Sequence, residues 1–440
     1  MVSSTVRGRR ALGSSDDDGV GRGTALWPLA VAALSTVGCD VSAPPGSGGV
    51  GGAGGGAPGC PRAFVVANSD YASTNVSIVS AGGELLSASL ISSASAGVGA
   101  SAALSGDVVL PALSGDVVLP HDAPASGRVV LIDRYPNSVV TWVDAASAAV
   151  LGQLSVATGF PSNPHDYLEV DDARAYVTRY NTNPTPGREP LDGGGDVLIV
   201  DHRTPAALGR IDLGAEAEGE FTPRPHRLLR LGAREAMVTL DRFDPSFAKA
   251  ADARLVGLDT TTDRPAWRLD LPGLANCGGV ALSPGRSLLA LACAGVFADG
   301  AGQLARSGLV LIDLATRPPI ERARFDVAAR LGAPLAPALA FASETLLAGV
   351  AFGDLQAGRP DRAFALDTAT GQSTTIAEAS DAFSFGELRC APGCGDRCFL
   401  ADAGRNALRS WRLEAGALAP GPDLKVDTVF GLPPRALGAY

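Results

Sequence analysis

Two histidines and three arginines in this chain stand where side chains could do chemistry. His165 and His226 each follow a proline, Pro164 and Pro225, at the start of an apolar run. Three other runs end in an arginine with an aromatic ring beside it: Arg134-Tyr135, Arg179-Tyr180 and Arg242-Phe243. An imidazole exchanges protons near neutral pH. A guanidinium fork next to a ring can hold a carboxylate, a phosphate or a sugar through paired hydrogen bonds and stacking. Two functions compete for these residues. One is a binding rim for a small anion or glycan. The other is a hydrolase or lyase with His165 or His226 as general base, an arginine clamp on the developing anion and a divalent metal as a possible helper. Against both stands a structural role, in which the histidines bond neighbouring loops and the arginines pair with Asp133, Asp166, Asp241 or Asp244. His121 and His202 fall in loops and read as solvated.

Other catalytic signatures are missing from the sequence. It has no HExxH, no GxSxG nucleophile elbow, no glycine-rich phosphate loop with lysine and no CxxCH haem attachment, so no cofactor is expected. The Asp192–Asp196 segment, DGGGD, lacks the alternating ligands and terminal glutamate of a calcium loop and reads as a glycine-rich approach to a strand. A formal charge of −10 leaves no basic stripe for phosphate backbones, which excludes a nucleic-acid partner. Lys249 and Lys425 are the only lysines, and the other basic residues are arginines.

Positioning falls to a recurring element. From about residue 60 onward, short apolar runs alternate with turns, as in Phe64-Val65-Val66-Ala67-Asn68, Val129-Val130-Leu131-Ile132-Asp133 and Leu309-Val310-Leu311-Ile312-Asp313. Repetition of one strand type points to radially repeated β-structure. Four strands per unit, a to d from the inside outward, fit without long leftovers. The third unit takes 166–170, 174–180, 196–201 and 208–213, and the fourth takes 227–231, 236–241, 254–259 and 267–270. The first unit supplies only three strands, at 64–68, 76–79 and 85–90, so its inner strand must come from 435–440. The expected fold is therefore all-β: a seven-bladed β-propeller closed by a C-terminal inner strand, with about 54 residues per blade. One oddity is a tandem nonapeptide, ALSGDVVLP at 103–111 and again at 112–120. Both copies cannot fill one inner-strand slot, so one is expected to loop out or add an edge strand.

The segments Ala173-Arg174-Ala175-Tyr176-Val177-Thr178 and Asp196-Val197-Leu198-Ile199-Val200-Asp201 carry a wider likeness. This chain resembles the YVTN or YncE-like repeat propellers of bacteria over most of 62–440. That resemblance implies architecture and leaves activity open. In such a frame the d–a and b–c loops share one face, and here that face collects the long segments 181–195, 214–225, 243–253 and 295–307, together with the histidines and arginines above. Long loops on a rigid frame are where binding concentrates.

The N-terminal region reads as an export signal. An apolar stretch at 24–34 is too short to span a bilayer and ends at Thr36-Val37-Gly38-Cys39, which resembles a bacterial lipobox although Thr36 departs from the usual leucine. The acidic Asp16-Asp17-Asp18 upstream suggests that translation starts at Val20. The expected layout is a signal peptide at 1–38, a lipidated Gly/Ala/Ser/Pro-rich tether at 39–61 and the propeller at 62–440. Six cysteines follow Cys39, and an even number in an exported chain suggests three disulfides. Hairpin symmetry about Gly285 pairs Cys277 with Cys293, symmetry about Cys394 pairs Cys390 with Cys398, and Cys394 is left for Cys60. A metal site on Cys390, Cys394 and Cys398 is the rival, without a fourth ligand nearby. The sequence thus describes a monomeric module, lipid-anchored in the bacterial cell envelope on its periplasmic or surface face. Its partner would be an envelope protein, a glycan or an anionic small molecule. The tether is expected to leave the face opposite His165.

Overall fold

The computed structural model describes residues 60–97, 100–102, 107–108 and 113–440. The proposed signal, the lipobox with Cys39 and most of the tether lie outside the described residues. Seven sheets, antiparallel except for one parallel pair in the second, follow one another along the chain, and together they form the expected seven-bladed propeller. The third blade, for example, runs from the inner strand Pro164–Glu169 through Arg174–Thr182 and Gly194–Asp201 to the outer Ala206–Ile211. Its three inner strands are buried almost throughout, whereas outer strands such as Arg264–Leu271 alternate between exposed and half-buried positions. A strand flanked by sheets on both faces has no solvent side, which explains the unbroken apolar runs.

Side-chain alternation distributes these runs between neighbours. On the strand Arg174–Thr182, Tyr176 packs toward the fourth blade with Leu228 and Val238, while Val177 packs toward the second with Ile132 and Trp142. Period-two geometry requires this split. The seam between the last and first blades is built the same way, from Phe399 and Leu408 against Phe64, Val66 and Leu437. Phe64 and Phe399 meet edge to face at 5.6 Å between ring centres.

Closure occurs as expected. Pro434–Ala439 is the inner strand of the first blade, pairing antiparallel with Ala63–Ser69 through Phe64↔Ala439 and Val66↔Leu437. All three expected disulfides are present: Cys60–Cys394, Cys277–Cys293 and Cys390–Cys398. Cys390 and Cys398 are direct cross-strand partners, which leaves no thiols for the rival metal site. Cys60–Cys394 spans 334 residues and locks the seventh blade's a–b turn to the chain entering the first. The tandem nonapeptide resolves into two roles. The second copy supplies the inner strand Val117–Val118 of the second blade. From the first copy, Asp107–Val108 forms an extra outer edge on Ala100–Ala102, which itself pairs parallel with Val150–Ser155.

Candidate functional site

The two Pro-His segments start the inner strands of adjacent blades, and both precede a shift in register. Pairing jumps between Pro164 and Tyr167 in the third blade and between Pro225 and Leu228 in the fourth. Each bulge inserts a residue and re-aims the side chains around it. Thr178 holds the third-blade bulge by accepting from the Asp166 N–H at 2.8 Å, and its hydroxyl donates to the His226 carbonyl at 3.1 Å. One hydroxyl therefore couples the two histidine segments.

The result is a compact aromatic and acid–base group. His165 lies parallel to Tyr180 with ring centres 4.2 Å apart and meets His226 edge to face at 4.7 Å. His226 Nδ1 lies 2.9 Å from Asp241 Oδ2, and the Tyr180 hydroxyl donates to the same oxygen at 3.2 Å. A carboxylate at Nδ1 favours the Nδ1–H tautomer and leaves Nε2 with its lone pair, the arrangement a general base needs. Burial, aided by the Asp241 charge, pushes the Tyr180 phenol well above its ordinary range, so it stays a donor. Burial, followed by the neighbouring His226 and Arg134, holds the His165 imidazole well below its ordinary value and hence neutral. Its Nε2 is buried without a partner. Arg224 closes the outer side, with its guanidinium 4.2 Å from the centre of the Phe247 ring.

Beside this group the channel mouth opens into a cavity of about 260 Å³. Five blades contribute to its wall, which combines Tyr71, Phe352 and Phe385 with the charges of Asp116, Arg134, Arg227, Glu387 and Arg435. Arg134 pairs with Asp116, and Arg227 Nη2 pairs with Glu387 at 2.6 Å. Arg435 differs. It lies over the Tyr71 ring at 5.0 Å and reaches only the Ser69 and Phe383 carbonyls, each at 3.4 Å, with no carboxylate partner among the described residues.

The expected arginine rim requires correction. Arg179 is fully buried, its Nε and Nη2 gripping both oxygens of Asp196 at 2.7 and 2.6 Å, with Nη1 on Thr158. Arg242 is also buried, bonded to Glu218 and to the Asp252 carbonyl. Both pair with carboxylates, as the structural alternative expected, but with partners the sequence did not single out, and Arg179 braces its own blade rather than adjacent ones. Arg134 reaches the cavity, whereas Tyr135 projects into solvent at 62% exposure. His202 is another correction: the ring is buried, with Nε2 3.1 Å from the Asp171 carbonyl. His121 is likewise drawn inward, its backbone N–H bonded to Asp166 and its imidazole held neutral by burial and by the charges of Arg389 and Arg227. Sequence reasoning missed Arg227, Glu387 and Arg435, and named Asp241 only as an arginine partner. Asp241 had a usable signal, since it precedes Arg242 at the end of the second strand of the blade that carries His226. Among the described residues, no group of three or more His, Cys, Asp or Glu is placed to hold a metal ion.

Asp166 gives a pH test of this interior. Burial raises its carboxyl to about 6 from 3.8, despite opposition from Arg227 and three backbone N–H donors. The folded chain therefore binds this proton more tightly than the unfolded chain. The contribution to stability is complete below about 3.8 and is withdrawn as pH rises through about 6. Unfolding free energies measured from pH 4 to 7 should show wild type losing stability relative to Asp166→Asn across that window.

No protein-family model and no curated protein sequence matches the chain. Solved structures do. The periplasmic gluconolactonase of Pseudomonas aeruginosa superposes with a TM-score of 0.53 at 13% identity, covering 85% of this chain and 98% of that one. A hypothetical selenium-binding protein of Sulfolobus tokodaii gives 0.54 at 8% identity, covering 87% and 94%. Hydrazine synthase of Kuenenia stuttgartiensis gives 0.50 at 12%, covering 82% and 97%. At these identities the likeness establishes the propeller fold, which is compatible with an interaction module, and nothing finer.

Proposed function

We propose that this chain is an exported, lipid-anchored propeller of the YVTN-like kind that binds a compact anionic small molecule at its channel mouth. The carrying observation is Arg435, a cation facing an aromatic-walled cavity in which the other two guanidinium groups already have carboxylates. A bound carboxylate or phosphate would complete the pairing, and the carbon skeleton that carries it would pack against Phe352 or Phe385. Export is supported by the three disulfides, which persist in oxidising compartments. Anchorage is supported by the Thr36-Val37-Gly38-Cys39 sequence. Strand polarity supports the orientation: Cys394 lies in the turn that follows the strand Phe385–Ala391, whereas His165 lies at the start of its own inner strand. Cys60, bonded to Cys394, thus lies on the side away from the mouth. Thermal-shift and calorimetric screening of sugar phosphates and dicarboxylates tests the reading. A ligand found with wild type should bind about tenfold more weakly or worse to Arg435→Gln, the loss expected for one charge-assisted contact. Equal affinity would remove Arg435 from the site.

A second reading is favoured by the His226–Asp241 pair. Here the mouth is a hydrolase or lyase site in which His226 Nε2 takes a proton from water or from substrate carbon, with Arg134 or Arg435 beside the developing anion. Lactones are the first substrates to assay, given the gluconolactonase of similar fold. Turnover that falls about 100-fold or more in His226→Gln supports this reading. Turnover unchanged in that variant removes it.

A further inference from the structure

Below the mouth, two buried guanidinium groups carry N–H donors that the protein does not answer. Glu387 and Arg389 are two residues apart on the inner strand Phe385–Ala391 and so share its channel side, while Leu388 between them is buried in the blade core. The Glu387 carboxylate is fully used: Oε1 takes Arg227 Nη2 at 2.6 Å and Oε2 takes the Leu437 N–H at 2.9 Å. Burial favours its neutral form, yet the charges of Arg227 and Arg389 together hold its carboxyl below the usual range, so both guanidinium groups lie close to it.

Neither arginine is satisfied. Arg227 is only 7% exposed, and its Nη1 is buried without an acceptor. Arg389 has no ion pair among the described residues and bonds only the Leu388 carbonyl, at 3.4 Å through Nη1, leaving Nε and Nη2 buried and unpartnered. Those two nitrogens form the side-on edge of the guanidinium. In this same protein Arg179 uses that edge to grip both oxygens of Asp196.

Nearby acids are committed elsewhere. Asp166 accepts the N–H groups of His121, Tyr167 and Leu228, and Asp122 accepts that of Arg230. The remaining cations are also turned away, Arg230 toward the Glu169 carbonyl and Arg286 toward the Arg230 carbonyl. Three orphaned N–H-bearing nitrogens thus remain, Nη1 of Arg227 and Nε and Nη2 of Arg389, on the inner strands of the fourth and seventh blades. A buried donor on a charged group left without an acceptor is destabilising, and an acceptor of opposite charge relieves that penalty.

We propose that the channel interior is an oxyanion site, in which the Nε–Nη2 edge of Arg389 and Nη1 of Arg227 hold a phosphate- or sulfate-class anion. This site goes beyond the mouth reading and rests on Arg389, which does not line the mouth cavity. The oxyanion could be free, or it could be the phosphoryl end of a longer ligand reaching down from the mouth.

The full chain is titrated calorimetrically with inorganic phosphate, inorganic sulfate and a simple phosphate monoester, at constant ionic strength in chloride. Saturable binding of the inorganic anions that becomes about tenfold or more weaker in Arg389→Gln is expected for an interior site, whatever Arg435 contributes at the mouth. Arg389→Gln should keep a cooperative thermal transition in chloride, because the lost guanidinium makes one long hydrogen bond and no ion pair among the described residues, so a folding defect does not obscure the result. Arg389→Lys keeps the charge but not the fork and should fall between wild type and Gln. Monoester binding that depends on Arg389 and Arg435 together, alongside weaker inorganic binding that depends on Arg389 alone, identifies the phosphoryl arm. Absence of saturable inorganic binding, or equal affinity in wild type and Arg389→Gln, overturns the proposal and leaves the mouth reading standing.

Discussion

Replacing Arg179 with alanine is expected to lower the unfolding free energy by about 3–5 kcal/mol, the cost of stranding a buried carboxylate. Arg179 and Asp196 both have side chains fully removed from solvent, and the guanidinium covers both carboxylate oxygens while also bonding Thr158 and the Leu191 carbonyl. Alanine leaves Asp196 with Arg210, whose Nη1 stands 3.3 Å away on a partly exposed side chain. That residual contact places the loss toward the lower end of the range. Denaturant unfolding followed by fluorescence measures the effect. Arg179→Ala should also leave ligand affinity at the mouth unchanged at temperatures where it is folded. A variant of wild-type stability with abolished binding would restore the residue to the rim where its sequence position seemed to put it.

The second large effect concerns closure. Deleting Pro434–Tyr440 removes the inner strand of the first blade, exposes the ladder edge of Ala63–Ser69 and strips Leu437 from the seam with Phe64 and Phe399. It also frees the Glu387 carboxylate from the Leu437 N–H. Loss of cooperative unfolding is expected for the truncated chain, since an open ring leaves both faces of the seam wet. Leu437→Ala, a milder change, should cost about 2–4 kcal/mol by creating a cavity in that seam. Loss of the Cys60–Cys394 bridge in Cys394→Ser should cost about 2–5 kcal/mol, because the bridge closes so long a loop. These two changes act on one seam and should exceed additivity when combined. A truncated chain that unfolds cooperatively at the wild-type midpoint would contradict the closed ring.

Seven units, the closing strand and two of the disulfides were legible because each follows from periodicity, and the third disulfide followed by elimination. An apolar run repeats, a count of strands leaves one slot empty, and cysteines equidistant from a turn must face each other. Residues at strand ends obey no such rule. Arg134, Arg179 and Arg242 occupy equivalent positions in three successive blades, yet one reaches the cavity and two turn inward: Arg179 faces Asp196, its cross-strand partner within the third blade, whereas Glu218, the partner of Arg242, lies on a loop whose path the strand pattern does not set. The His165 and His226 segments were correctly placed at inner-strand starts, but the bulges that bring their rings together arise from a register slip invisible in the sequence. Arg227, Glu387, Arg389 and Arg435 come from three blades more than 200 residues apart in the extreme, and only the curvature of the ring makes them neighbours. Their charges looked like ordinary strand decoration in the linear chain.

Calorimetric titration of wild type and Arg435→Gln with the best anionic ligand from a small-molecule screen tests the central functional claim most directly. The account predicts saturable binding with one site at the mouth in wild type and an affinity about tenfold weaker or worse in the variant, with unfolding behaviour unchanged. Identical isotherms for the two proteins would contradict it.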